Sequence, residues 1–115
     1  MPRPAADTSP FSAIAHPTRR AVLDLLQKGE RSANDLRLAL TPRIKGTSQA
    51  AFSEHLSALS RAGLVRARPK GRERLYSLNA KPLAEAYDWL KPYEEFWDEK
   101  LASLGDYLDR KARPQ

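Results

Sequence analysis

Cysteine is absent from this chain of 115 residues, so it can form no disulfide bond and offers no thiolate to a metal ion. Its two histidines, His16 and His55, have no second His or Cys three or four residues away to complete a metal-binding helix face. No stretch approaches the ~18 consecutive apolar residues of a membrane-spanning helix. The N-terminus also lacks the charged-then-apolar pattern of a secretory signal. We expect one cytoplasmic domain with no metal, cofactor or membrane partner.

Groups that could carry out catalysis are equally scarce. Lys45-Gly46-Thr47 lacks the upstream glycine of a phosphate-binding loop and follows no strand. Glu54 and His55 are adjacent on a predicted helix and therefore point to different faces, which makes a poor acid–base pair. A cluster of four carboxylates near the C-terminus forms either a solvated acidic face or, if paired across a dimer, a site for a hard cation; it comprises Glu94, Glu95, Asp98 and Glu99. We predict that the chain is not an enzyme.

Charge is abundant and unevenly distributed. Residues 1–79 contain fourteen Lys and Arg against six Asp and Glu, a balance of +8, whereas residues 80–115 contain six against eight, a balance of −2. The two parts together make the net charge of +6. A basic body with an acidic appendage favours a polyanion as partner of the first part. A solvated basic surface is the simpler alternative.

Helix-start and helix-stop signals divide the first half of the chain. We expect residues 1–9 to be a disordered lead-in. Phe11–Ala15 should form a short helical turn that packs Phe11 and Ile14 inward. Pro17 suits the first position of a second helix that closes at Lys28-Gly29. Ser32 is a plausible N-cap for a third helix, which ends before Pro42, and a basic loop, residues 41–47, follows it.

The stretch from Thr47 to Leu78 changes period from helix to strand. Ser48 can cap a helix over 48–62 whose buried stripe is Phe52, Leu56 and Leu59, and Gly63 can take the left-handed conformation that ends it. After Gly63 alternation predicts a two-stranded β-hairpin around Pro69-Lys70-Gly71. We predict that Val65, Ala67, Tyr76 and Leu78 point inward and that Arg66, Arg68, Arg72 and Arg74 point to solvent.

The C-terminal segment, residues 81–112, predicts a long helix with a heptad-like apolar seam. Large, mostly apolar residues recur in steps of four and three from Leu83 to Leu108, provided that Glu94 is counted as one position of the repeat. Pro92 lies inside this repeat and predicts that the helix ends, kinks or divides there. A core of this size cannot cover such a seam, so a second copy of the chain is the natural partner. The alternative is a helix folded back on its own domain. The predicted interface comprises Phe11, Ile14, Leu83, Tyr87, Leu90, Tyr93, Trp97, Leu101, Leu104 and Leu108.

Three segments, IAHPTRRAVLDLL, SQAAFSEHLSALSRAGLV and RPKGRERLYSL, occur here in the order of a known family. Over about residues 10–80 the chain resembles the ArsR-type (arsenical-resistance-operon repressor) winged helix-turn-helix regulators. Its tail, WLKPYEEFWDEKLASLGDYL, resembles a metal-independent branch with an aromatic-rich C-terminal helix. The resemblance implies a mainly α-helical fold with a two-stranded β-wing. It also implies a homodimer, formed through the terminal helices, that represses transcription from an imperfect DNA palindrome.

The sequence departs from the family at three places. The segments that correspond to metal-sensing motifs, NDLRLAL and DWLKPYEEFW, contain neither cysteine nor histidine, so metal regulation is not carried over. The loop TPRIKGT is longer than the family's usual turn, and its Arg43 and Lys45 are further candidates for phosphate contact. Ala50 and Ala51 leave the start of the fourth helix poor in hydrogen-bonding groups.

The resemblance implies that the 48–62 helix enters the major groove and that the 65–78 hairpin, the wing, lies on flanking backbone or minor groove. Helical phase leaves Gln49 facing solvent, and its amide can pair bidentately with adenine. Glu54 either accepts a hydrogen bond from cytosine or pairs with an arginine. Arg61 either binds a backbone phosphate or caps the carbonyls of its own helix. We expect His55 at a helix edge or on a phosphate rather than as a regulatory switch. The predicted DNA-binding residues are Thr47, Ser48, Gln49, Ala50, Ser53, Glu54, His55, Ser57, Arg61, Arg68, Lys70, Arg72 and Arg74.

Other functions fit parts of the same pattern. A protein-interaction winged helix could dock an acidic partner on the basic ribbon. Single-strand or RNA binding would use aromatic stacking platforms, but the aromatics here gather in the acidic tail. Those aromatics either line a pocket for a small-molecule inducer or pack two helices together, and the sequence names no inducer. We predict a sequence-specific DNA-binding repressor.

Overall fold

Side chains at the helix starts fix where four of the helices begin. The computed structural model describes residues 8–43 and 46–112. The hydroxyls of Ser9, Ser32 and Ser48 and the ring Nδ1 of His16 each accept a backbone N–H of the helix that follows. These caps begin α1 (Pro10–Ala13), α2 (Pro17–Leu26), α3 (Ala33–Leu40) and α4 (Gln49–Arg61).

The predicted starts of α2, α3 and α4 are confirmed, and Gly63 has the predicted left-handed φ of +75° after α4. The predicted lead-in was too long at its end, because Ser9 already caps α1. Residues 1–7 of the lead-in and Lys45 lie outside the described residues. α1 buries Pro10 and Ala13 rather than Phe11, which is 38% exposed.

The predicted two-stranded wing is confirmed, and a short third strand joins it in the part of the chain that the structure describes. Strands β1 (Arg31–Ser32), β2 (Val65–Lys70) and β3 (Glu73–Leu78) are antiparallel in the order β1-β3-β2. Two residues are too short to show alternation, so sequence periodicity could not reveal β1. The hairpin turn falls at Gly71-Arg72, with Gly71 at φ +62°, because Lys70 pairs with Glu73 and Pro69 remains within an edge strand.

Arg74 is exposed to solvent as predicted, but the hairpin register places it on a different face of the sheet from Arg66 and Arg68. Ala67 lies opposite Tyr76, and Pro69 lies opposite Arg74. Because alternate residues of a strand share a face, Arg74 lies on the face of Tyr76 and Leu78 rather than with Arg66 and Arg68. Val65 is buried and Tyr76 and Leu78 are half-buried, as predicted, but Ala67 is exposed.

The core forms where α2, α3 and α4 meet the base of the hairpin. Val22, Leu36, Leu40, Leu59 and Leu64 are the largest fully buried side chains. Phe52, Leu56 and Leu59 form the predicted buried stripe of α4. Ile14 and Leu83, which are also predicted at a dimer interface, are partly buried against this core, and Ile14 thus packs inward as predicted. The opposite face of α4 lies outside the core, and it contains the residues that are predicted to contact DNA bases.

Contacts divide the chain into two units, Met1–Ala84 and Glu85–Gln115. In the second unit α5 (Leu83–Leu90) ends at a 3₁₀ turn, Lys91–Tyr93, and α6 (Glu94–Ala112) follows. The long helix is therefore divided at Pro92, the position that the sequence singled out. Every large apolar residue of α6 is about half exposed, including Trp97, Leu101, Leu104 and Leu108. No helix in the described part of the chain is long and apolar enough to cross a membrane.

Candidate nucleic-acid interface

The outer face of α4 presents small polar side chains on a rigid helix. The Ser48 hydroxyl accepts the Ala51 N–H at 3.0 Å, which satisfies one of the donors at the helix start. Phe52 and Leu56 anchor the opposite face in the core. The predicted residues Ser48, Gln49, Ala50, Ser53, Glu54 and Ser57 are all exposed, whereas Thr47 is half-buried.

A cleft of about 330 Å³ brings the start of α4 together with the hairpin. Gln49 and Ser53 contribute from α4, and Arg72 and Arg74 contribute from the turn and β3. The third wall is α3, which supplies Asn34 and Arg37. Phe52 and Tyr76 are among the other lining residues. Four of the predicted DNA-binding residues therefore share one concave surface. Lys70 is exposed on β2 and Arg43 is exposed after α3, and neither lines this cleft.

Two of the predicted phosphate-binding arginines already hold carboxylates of the same chain. Arg61 Nη2 donates to Glu54 Oε1 at 2.8 Å, which is the arginine pairing considered for Glu54. Arg68 donates to Glu30 through Nε at 2.9 Å and through Nη2 at 2.7 Å. These hydrogen bonds lower the pKa of both Glu54 and Glu30 below the usual range. Part of the positive charge predicted for DNA is thus neutralised within the protein.

His55 faces the body of the first unit and sits in a small polar cluster. Its Nδ1 accepts from Arg19 Nε at 3.1 Å, and its ring centroid lies 4.2 Å from that of His16. Arg19 Nη1 also donates to the Ser12 carbonyl at 3.4 Å, so the cluster joins α1, α2 and α4. Burial lowers the pKa of His55, and the neighbouring His16 and Arg19 lower it further. His55 is therefore half-buried at the junction of α1, α2 and α4.

Sequence reasoning missed Arg37, Asn34 and Glu30. Arg37 lies on α3, away from the helix and the hairpin in which the arginines were sought, and its Nη2 donates to Asn34 Oδ1 at 3.2 Å. The three-residue spacing of Asn34 and Arg37 on one helix was the available signal. Glu30 is 38 residues from Arg68, and nothing in the sequence indicates that pairing. Within the described ranges no three His, Asp or Glu side chains come together as a metal site.

The chain is similar to known transcription factors. A helix-turn-helix domain family matches residues 14–68. The transcriptional repressor SdpR of Bacillus subtilis is 35% identical over 80 residues, which cover 70% of this chain and 83% of SdpR. The HTH-type transcriptional regulator Rv2034 of Mycobacterium tuberculosis is 32% identical over 99 residues, which cover 86% and 85%.

Solved structures agree with these matches. The crystal structure of an ArsR family transcriptional regulator superposes with a TM-score of 0.63 at 30% identity, over 76% of this chain and 86% of the other. Its relatives, its fold and the helix-plus-hairpin surface described above identify one family. The chain belongs to the ArsR family of winged helix-turn-helix transcriptional regulators, which bind DNA.

Proposed function

We propose that the protein is a homodimeric repressor that binds an imperfect palindrome in its own or an adjacent promoter. In this proposal α4 lies in the major groove and the wing lies on the flanking backbone. The observation that carries it is the shared cleft, because base-reading candidates on α4 and the hairpin arginines Arg72 and Arg74 face the same space. The similarity to a transcriptional repressor supports the direction of regulation.

Base reading rests first on Gln49. It is exposed at the first position of α4 and lines the cleft, so its amide is free to pair bidentately with adenine. Ser53 lies one turn further on the same face and can donate to or accept from a base or phosphate. Ala50, also exposed, offers a methyl group to thymine. Discrimination by one bidentate contact is worth about 1–3 kcal/mol per half-site.

Dimerisation rests on the second unit. Trp97, Leu101, Leu104 and Leu108 recur in steps of four, three and four along α6, and each is more than half exposed. A contiguous apolar stripe of this kind marks an interaction surface, and a two-fold copy of the same stripe is its natural complement. Two copies would present two α4 helices to two half-sites, as a palindrome requires.

The proposal is tested with a fluorescent duplex that spans the promoter upstream of the gene and a shuffled duplex of equal length. Binding should prefer the promoter, and its logarithm should fall with log salt at a slope near −5 if about six phosphates are neutralised by a dimer. Gln49→Ala should change the preferred bases without altering that slope. Equal, salt-insensitive binding to both duplexes, or no binding, would sink the proposal.

A further inference from the structure

The arginines near the predicted DNA-binding surface differ in whether a carboxylate of the same chain is bound to them, and the sequence does not show this difference. Arg61 and Arg68 are each paired with a carboxylate. Arg37, Arg72 and Arg74 all line the cleft, and in the part of the chain that the structure describes none of them has a carboxylate within salt-bridge distance. Three guanidinium groups without a carboxylate partner therefore meet at one place, beside Gln49 and Ser53, whereas Arg66, which also has none among the described residues, is exposed on β2 outside the cleft.

The cleft has the charge and hydrogen-bonding groups of an anion site. Its three arginines and its one carboxylate, Glu73, give a formal balance of +2. Guanidinium groups present N–H donors in a planar fork that matches phosphate oxygens. Asn34 from α3 and Ser53 from α4 add polar side chains that suit an oxygen-rich ligand.

Arg37 is the member of this group that is already oriented. Its side chain is half-buried, and its Nη2 donates to the Asn34 side chain one turn earlier on α3. A guanidinium held in this way loses less rotational freedom when it binds a ligand than one that is fully exposed. Arg72, in contrast, lies exposed at the hairpin turn.

We propose that the cleft seats one backbone phosphate of the bound DNA strand and that Arg37 is a positioning residue that binds it. The inference rests on the proposed function and extends it to α3, which contains none of the predicted contacts. A phosphate held between α3, α4 and β3 fixes the depth and register of α4 in the groove, because Gln49 and Ser53 line the same space. Arg37 therefore contributes to affinity for every sequence, whereas Gln49 selects among sequences.

The test compares Arg37→Gln with Arg20→Gln, a control that removes the same charge from an exposed position of α2 outside the cleft. Affinity is measured on the promoter duplex and the shuffled duplex between about 50 and 200 mM salt. Arg37→Gln should weaken binding to both duplexes about tenfold and make the salt slope shallower by about 1 per subunit. Arg37→Lys should keep most of the slope, and Arg20→Gln should leave slope and affinity close to those of the unaltered protein.

Circular dichroism checks whether Arg37→Gln is still folded. A second variant keeps the proposal testable if it is not. Glu73→Gln removes the carboxylate from the cleft lining and should tighten binding to both duplexes. If the unaltered protein binds but Arg37→Gln matches Arg20→Gln in slope, or Glu73→Gln fails to tighten binding, the phosphate seat is wrong and the proposed function stands. If the unaltered protein prefers neither duplex, the proposed function itself fails.

Discussion

Glu30 and Arg68 form a two-pronged ion pair across 38 residues of sequence, with N–O distances of 2.9 and 2.7 Å. Glu30 lies just before β1, and Arg68 lies on β2, the opposite outer strand of the sheet. The hydrogen bonds lower the pKa of Glu30 and raise that of Arg68. The pair therefore connects the wing to the loop after α2. It also neutralises an arginine that the sequence predicts to bind DNA.

The first prediction concerns this pair. Arg68→Gln should leave the salt slope of DNA binding unchanged, because Arg68 already has its anion, whereas Arg72→Gln should make the slope shallower by about 1 per subunit. In thermal unfolding, Glu30→Gln and Arg68→Gln together should cost no more than either alone, since each removes the same interaction. A shallower slope in Arg68→Gln, equal to that of Arg72→Gln, would instead make Arg68 a direct phosphate contact.

The second prediction separates the two roles considered for Glu54. Its carboxylate lies 2.8 Å from Arg61 on the exposed face of α4. If it serves only as the partner of Arg61, Glu54→Gln should tighten binding to promoter and shuffled duplexes alike, because a negative charge near phosphates is removed. Competition binding with single-base variants of the promoter is the measurement. A loss of preference at one cytosine would show that Glu54 reads a base.

The third prediction concerns pH. The pKa of His55 is lowered by burial and by the neighbouring His16 and Arg19, so the folded protein binds fewer protons than the unfolded chain just below the ordinary histidine pKa. Its contribution to stability is therefore full above that ordinary pKa and is lost as pH falls through the lowered value. Urea unfolding between about pH 7.5 and 5.5 should show stability falling with acidity, and His55→Gln should flatten the decline. An identical decline in the variant would exclude His55 as its source.

The fourth prediction concerns α6. Leu104→Asp places a charge in the middle of the exposed apolar stripe and should convert a dimer into monomers, which sedimentation velocity measures directly. Ser103→Asp, exposed and off the stripe, is the matched control and should remain dimeric. Promoter binding should weaken sharply in Leu104→Asp because the two half-sites are no longer read together. A chain that is monomeric before any change would contradict the proposed assembly.

The sequence by itself determined the order and type of most elements. Serine caps, Pro17 and Gly63 act within a few residues of where they stand, so they fix helix ends locally. The stripe of Phe52, Leu56 and Leu59 likewise follows from helical spacing, which places Gln49 and Ser53 outside the core. The helix-plus-hairpin pattern and the family followed from such local signals.

Only the tertiary structure decided which charges remain available to a ligand. Glu30 meets Arg68 and His55 meets Arg19 through packing between elements, and these contacts join residues 38 and 36 positions apart. Arg37 reaches the same cleft as Arg74 because α3 packs beside β3, with β1 completing the sheet. Electrostatic pairing depends on distance in space rather than along the chain. The arginines are therefore indistinguishable in the sequence, whereas in the fold some of them are paired with a carboxylate and others are not.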